Sequence, residues 1–216
     1  MSAFENIDGA SLKRPHVFEP GSDVPNSRTI LLLHGMGADE HDLLGLGRLL
    51  DGDANLLSPR GMVQIDGLNR FFLRFADGSF DEAGLAYAVD ELAEFIRAAA
   101  NEYGFDLGRV WAAGFSNGSN AAVALLHRHP GLLQGISVYS ITKALAEPVG
   151  DSQLLAGKQV FIANGEQDQH ATMEVPRLLA TQLKQLGASV ELLEHQGGHN
   201  IVMEHVRPVM QYLASN

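Results

Sequence analysis

Six short apolar runs, at 29–33 (TILLL), 54–58 (ANLLS), 109–115 (RVWAAGF), 135–140 (GISVYS), 159–165 (QVFIANG) and 189–195 (SVELLEH), alternate with segments of helical period. Each run has the length of a strand and is bounded by glycine or polar residues. Strands separated by helices cannot pair through tight turns. They pair in parallel instead, with the crossover helices covering both faces of the sheet. The alternation therefore predicts an α/β protein, a three-layer sandwich around a mostly parallel central sheet.

The clearest intervening helix opens on a capping-box pattern, Ser79 with Glu82, carries Leu85, Val89, Leu92 and Ile96 at helical spacing, and meets a stop at Gly104. Further helices are expected near 40–51, 118–129, 173–186 and 203–214. Pro176 falls in a first turn, where the missing N–H costs little, and Gly187 ends that helix. No repeat, low-complexity stretch or linker divides the chain, so residues 1–216 are expected to form a single domain.

Composition removes several classes of chemistry. The chain has no cysteine, which rules out disulfides, thiolate metal sites and cysteine nucleophiles. Its formal charge of −11 would repel nucleic acid and anionic membranes over most of the surface. No run approaches the roughly 18 apolar residues of a membrane helix. The opening MSAFENIDGASLKRPHVFEPG lacks the basic start and apolar centre of a secretory leader. A cytoplasmic protein without membrane or nucleic-acid partners is expected.

Parallel α/β sheets bind ligands at the carboxyl ends of their strands, so the segments that follow the six runs concentrate the chemistry. They carry Ser116 in the GFSNG turn, Asp168 in EQDQH and His199 in QGGHNI. Serine between glycines at a strand-to-helix turn is the nucleophile-elbow pattern, and the chain order Ser, Asp, His is that of α/β hydrolases. A serine nucleophile needs a base for its proton, an acid to orient that base and N–H donors for the oxyanion. Ser116, His199 and Asp168 fill the first three roles, with Glu166 a nearby competitor for the acid. The backbone N–H groups of Met36, in LHGMG, and Asn117 are the expected oxyanion donors. His34 is expected to brace the Met36 loop.

Between Pro59 and Phe80 lies a long segment with Phe71, Phe72, Phe75 and Phe80 interleaved with Arg60, Arg70 and Arg74. Phe71, Phe72 and Arg70 are candidates for a substrate pocket, against the alternative of a satellite core with arginines on its rim. The histidine pairs 127/129 and 195/199 lack convincing metal-ligand spacing; no metal and no cofactor are expected.

The segments LLLHGMGADEHDLLGL, LSPRG, NRFFLRFADGSFDEAGL, AAGFSNGSNAAVALL, FIANGEQDQ and GGHNI together resemble the phospholipase/carboxylesterase family of small α/β hydrolases. The bacterial carboxylesterases look closest and the acyl-protein thioesterases more distant. The resemblance spans roughly residues 28–213. It implies an α/β-hydrolase fold with little or no cap domain, the triad Ser116, Asp168 and His199, an oxyanion loop at Met36, a small-molecule ester as substrate and a possible homodimer. Asn117 stands where thioesterases usually carry glutamine, and YSITKALAEP departs from close relatives in a segment that can line the acyl pocket. A thioesterase or lysophospholipase using the same triad, or a non-catalytic receptor on this fold, are the alternatives.

Overall fold

The computed structural model describes residues 12–216 other than 76, 78 and 147–149. The first half of the N-terminal stretch read for a leader, and the end of the segment after the fourth run, lie outside the described residues. In chain order the strands are β1 (His16–Glu19), β2 (Thr29–Leu33), β3 (Asn55–Pro59), β4 (Val63–Ile65), β5 (Leu68–Arg70), β6 (Val110–Phe115), β7 (Gly135–Tyr139), β8 (Gln159–Gly165) and β9 (Ser189–His195). The helices are α1 (Leu44–Leu50), α2 (Glu82–Tyr103), α3 (Asn117–Arg128), α4 (Glu174–Gln185) and α5 (Met203–Ser215).

Seven strands form one sheet in the order β1-β3-β2-β6-β7-β8-β9. Every neighbouring pair is parallel except β1 against β3. All six expected runs are strands, within a residue of the expected ends.

The two faces of the sheet separate the core into two layers. Along β2, Ile30 and Leu32 face a cluster with Leu46 and Leu50 of α1 and Val209 and Leu213 of α5. Leu31 and Leu33 face the opposite cluster, built on α2, α3 and α4. This is the strand period of two working on a sheet buried on both sides, which is why its runs read as continuously apolar.

Four local features depart from expectation. The long segment after β3 is not irregular throughout: β4 and β5 form a hairpin turned by Asp66 and Gly67, both at positive φ (53° and 75°). Asp-Gly is a favoured two-residue hairpin turn because it tolerates that conformation, so IDGL carried a signal for it. Strand β1, HVFE, is half-buried at the sheet edge, and Pro15 and Pro20 on either side read as loop.

Helix α2 is capped by Asp81, whose carboxylate accepts the Gly84 N–H at 2.8 Å, rather than by Ser79. The helix starts at Glu82, which leaves Ser79 a turn too early, and its hydroxyl bonds Asp77 at 2.6 Å. Gly104 closes α2 in the left-handed conformation, as expected. Helix α1 is shorter than 40–51 because Asp39 and Glu40 turn their carboxylates to His41 N–H and Arg60.

Candidate active site

Strand β6 delivers Ser116 to the carboxyl edge of the sheet. The residue adopts φ 53° and ψ −111°, a strained conformation for a side chain with a Cβ, and surrounding bonds hold it there. Its N–H donates to Tyr139 O at 2.9 Å. One turn on, the buried Ser119 hydroxyl lies 2.7 Å from the carbonyls of both Gly114 and Tyr139 and accepts the Tyr139 N–H at 3.0 Å.

The glycines allow this packing. A Cβ on Gly114 would lie 2.6 Å from Gly118 O, and one on Gly118 only 1.9 Å from Leu33 O. Helix α3 thus starts with its backbone directly against β2. Gly118→Ala is expected to destabilise the fold by about 3 kcal/mol, the upper part of the usual overpacking range, because its obstacle is backbone and cannot rotate away. A urea midpoint equal to the wild type's would contradict this packing.

The loops after β8 and β9 prolong the pairing of those strands. Glu166 N–H donates to His195 O at 2.7 Å and Gln167 N–H to Gly197 O at 2.9 Å. A Cβ on Gly165 would sit 2.2 Å from Gly197 O, so glycine permits the close approach. The consequence is contact between Asp168 and His199. The carboxylate, with its side chain 0 % exposed, accepts the His199 Nδ1 proton at 2.7 Å through Oδ2 and the His170 backbone N–H at 2.7 Å through Oδ1. Glu166 is exposed and does not make this bond. With Nδ1 donating, the Nε2 lone pair is left to accept a proton. The rings of Phe115 and His170 flank His199 at 5.1 and 4.5 Å. His170 escaped the sequence reading, since nothing in DQH marks it apart from a surface histidine.

The loop bearing Met36 is fastened at several points. His34 places Nδ1 2.7 Å from Gly35 O and accepts the Gly61 N–H through Nε2 at 2.9 Å. Gly37 N–H donates to Asn69 O at 2.8 Å, and the Asn69 amide returns a bond to Ala38 O at 2.9 Å. Arg60 grips Glu40 with two bonds of 2.5 and 2.6 Å, which hold the Glu40 carboxyl below its ordinary range. The hairpin and the β3 loop therefore clamp the Met36 loop.

Asn117 is the first residue of α3, where a backbone N–H has no acceptor within the helix and the helix end favours negative charge. Its side chain bonds the aromatic segment, accepting Phe71 N–H at 2.7 Å and donating to Phe72 O at 3.3 Å.

Burial holds the pKa of His34 below 6.5, and that of His205, beside His195, below 6.5 as well, with His195 adding repulsion. The unfolded chain then binds protons first as the pH falls. Stability from these two residues is complete above pH 6.5 and is lost as the pH drops from 6.5 towards their native values. The urea midpoint is expected to decline as the pH falls below 6.5, before the carboxylates titrate, and His205→Gln should flatten part of that slope. A midpoint constant from pH 7 to 5 would contradict the assignment.

Ser116 and His199 open on a cleft of about 430 Å³ whose other walls include Phe72, Phe80, Arg74 and Thr142. Of the three pocket candidates, Phe72 lines this cleft. Phe71 is buried in the core with its ring 4.9 Å from that of His34, and Arg70 lies outside the lining, where Arg74 takes the place expected of it. Among the described residues, one trio, Asp39, Glu40 and His41, brings ligand-type atoms within 4.8 Å of each other. The guanidinium of Arg60 already occupies the Glu40 oxygens. No helix among the described residues is long and apolar enough to cross a membrane.

The sequence profile of the phospholipase/carboxylesterase family matches residues 14–216. MhqD of Bacillus subtilis (strain 168), a protein provisionally named a hydrolase, is 38% identical over 199 residues, covering 91% of this chain and 96% of that one. The crystal structure of the Bacillus cereus carboxylesterase superposes with a TM-score of 0.89 at 35% identity, over 95% of this chain and 96% of the other. A carboxylesterase from Mesorhizobium loti superposes with a TM-score of 0.79 at 28% identity, over 88% and 89%.

Proposed function

The chain belongs to the phospholipase/carboxylesterase family of hydrolases, with its α/β-hydrolase fold, and on that premise we propose that it is a serine carboxylesterase acting on small to medium carboxylic esters. The observation that carries this reading is the convergence on one cleft of Ser116, on its strained turn, and the His199–Asp168 pair.

In this mechanism His199 Nε2 takes the Ser116 hydroxyl proton as Oγ attacks the ester carbonyl carbon. The negative charge that develops on the carbonyl oxygen is met by the N–H groups of Asn117 and Met36. Asp168 holds the imidazole in the required tautomer and stabilises the imidazolium without taking its proton. When the C–O bond breaks, His199 gives that proton to the departing alcohol, leaving Ser116 acylated. Water then attacks the acyl carbon, delivering its proton to His199, and the acid leaves as Ser116 regains its hydrogen.

The cleft of about 430 Å³ falls in the size range of small-molecule sites. A series of p-nitrophenyl esters of increasing acyl length, run beside the matching thioesters, tests the reading together with labelling by a fluorophosphonate. Ester turnover and a label on Ser116 are expected. Faster thioester cleavage would move the function to a thioesterase. A folded protein that cleaves neither series and takes no label would overturn catalysis altogether.

A further inference from the structure

A second cavity, of about 160 Å³, lies immediately behind one wall of the catalytic cleft. Three segments build the partition, and each faces both spaces. Phe80 lines the cleft while Glu82 lines the cavity behind; Thr142 lines the cleft while Lys143 lines the cavity; Asn120 lines both. Asn120 is one helical turn beyond Ser116 on α3, so its side chain stands on the nucleophile's own side of the helix.

The partition is a polar latch beside an aromatic panel. Asn120 Nδ2 donates to Thr142 Oγ1 at 2.8 Å, and the Thr142 N–H returns a bond to Asn120 Oδ1 at 3.3 Å. The Phe80 ring lies close to two cations, Arg74 at 5.1 Å and Lys143 at 5.6 Å from its centre. Lys143, with its side chain only 10 % exposed, pairs with Glu82 at 2.7 Å and ties the start of α2 to the segment after β7. Behind this wall Leu85, Ala86, Val123 and Ala124 supply apolar lining, alongside the polar Glu82, His127, Arg128 and Lys143.

We infer that the rear cavity is an extension subsite for one aliphatic arm of the ester, and that the Asn120–Thr142 latch with Phe80 is the stop that sets how long that arm can be. This rests on the esterase reading of the cleft. A methylene chain directed at the latch meets two satisfied polar side chains that it cannot replace as hydrogen-bond partners. Beyond them lies an apolar surface that only a chain of low polarity would gain by covering. The wild type therefore discriminates against longer arms although space for them exists.

The test is kcat/KM across two series of p-nitrophenyl-free and p-nitrophenyl esters, one varying the acyl chain and one varying the alkyl chain of the alcohol. In the wild type kcat/KM should stop rising at a short arm. In the double variant Asn120→Ala, Thr142→Ala, which removes both side chains of the latch and leaves the backbone N–H of residue 142 facing the opened space, the rise should continue. Each further methylene is expected to add about fourfold in one of the two series. Adding Ala86→Phe, which fills the rear cavity from α2, should cancel that gain. Phe80→Ala opens the same wall at a half-buried position and should extend the range likewise, which keeps the test available if the double variant does not fold. A cut-off unmoved in both variants, with short esters still cleaved, overturns this inference alone. A wild type that cleaves no ester in either series overturns the esterase reading and the inference with it.

Discussion

Replacing Ser116 by alanine is expected to lower ester turnover by about 10⁶, to the level that binding and the oxyanion donors sustain without a nucleophile. The size of the effect follows from the division of labour in the cleft. His199 has no other hydroxyl to activate along the Ser116 turn, because the nearby Ser119 is buried and engaged with the carbonyls of Gly114 and Tyr139. Ser116→Ala also keeps the backbone N–H to Tyr139 O that holds the turn, so the variant should fold with an unchanged urea midpoint. Single-turnover kinetics with a p-nitrophenyl ester should show no burst. A variant that retained more than about a hundredth of wild-type turnover would place the nucleophile elsewhere.

Asp168→Asn is expected to lower kcat by about 10⁴, while Glu166→Gln should change it less than threefold. Asparagine fits the same space, but its amide can present N–H groups to His199 Nδ1. The ring would then carry its proton on Nε2, facing Ser116 with a donor where an acceptor is required. The carboxylate is fully buried and its second oxygen is committed to the His170 N–H, so the pair has little freedom to rearrange around the loss. Glu166 is exposed one step outside that arrangement. The measurement is kcat for both variants at a pH above the histidine range. The reverse ranking would transfer the orienting role to Glu166.

The sheet was legible because its central strands are buried on both faces and apolar nearly throughout; the helices were legible because each shows one face to that sheet. The candidate site followed from topology. Once six strands are parallel, residues that follow them share one edge, and Ser116, Asp168 and His199 come together with no knowledge of side-chain geometry. What escaped was decided by contacts that have no period. Strand β1 is held by pairing with β3 rather than by its own pattern. The choice between Ser79 and Asp81 as cap turns on where α2 begins, which propensity does not fix to the residue. Phe71 and Phe72 are indistinguishable in sequence and both buried in one core cluster, yet only Phe72 also borders the cleft, while the Phe71 ring lies against that of His34. The role of Asn117 in binding the Phe71–Phe72 backbone has no signature at all.

The loops carrying Asp168 and His199 are welded to each other by continued strand pairing at one end of the site. The aromatic segment is fastened at the other end, to the Met36 loop and to the Asn117 amide. Changes in the hairpin and its phenylalanines therefore reach the start of α3 and the Met36 loop directly but reach the Asp168–His199 pair only through the cleft. On the esterase reading, altering residues 60–80 would retune substrate shape at the cost of turnover that depends on charge stabilisation. The Asp168–His199 pair would pass through such experiments intact, a fixed engine beneath an exchangeable mouth.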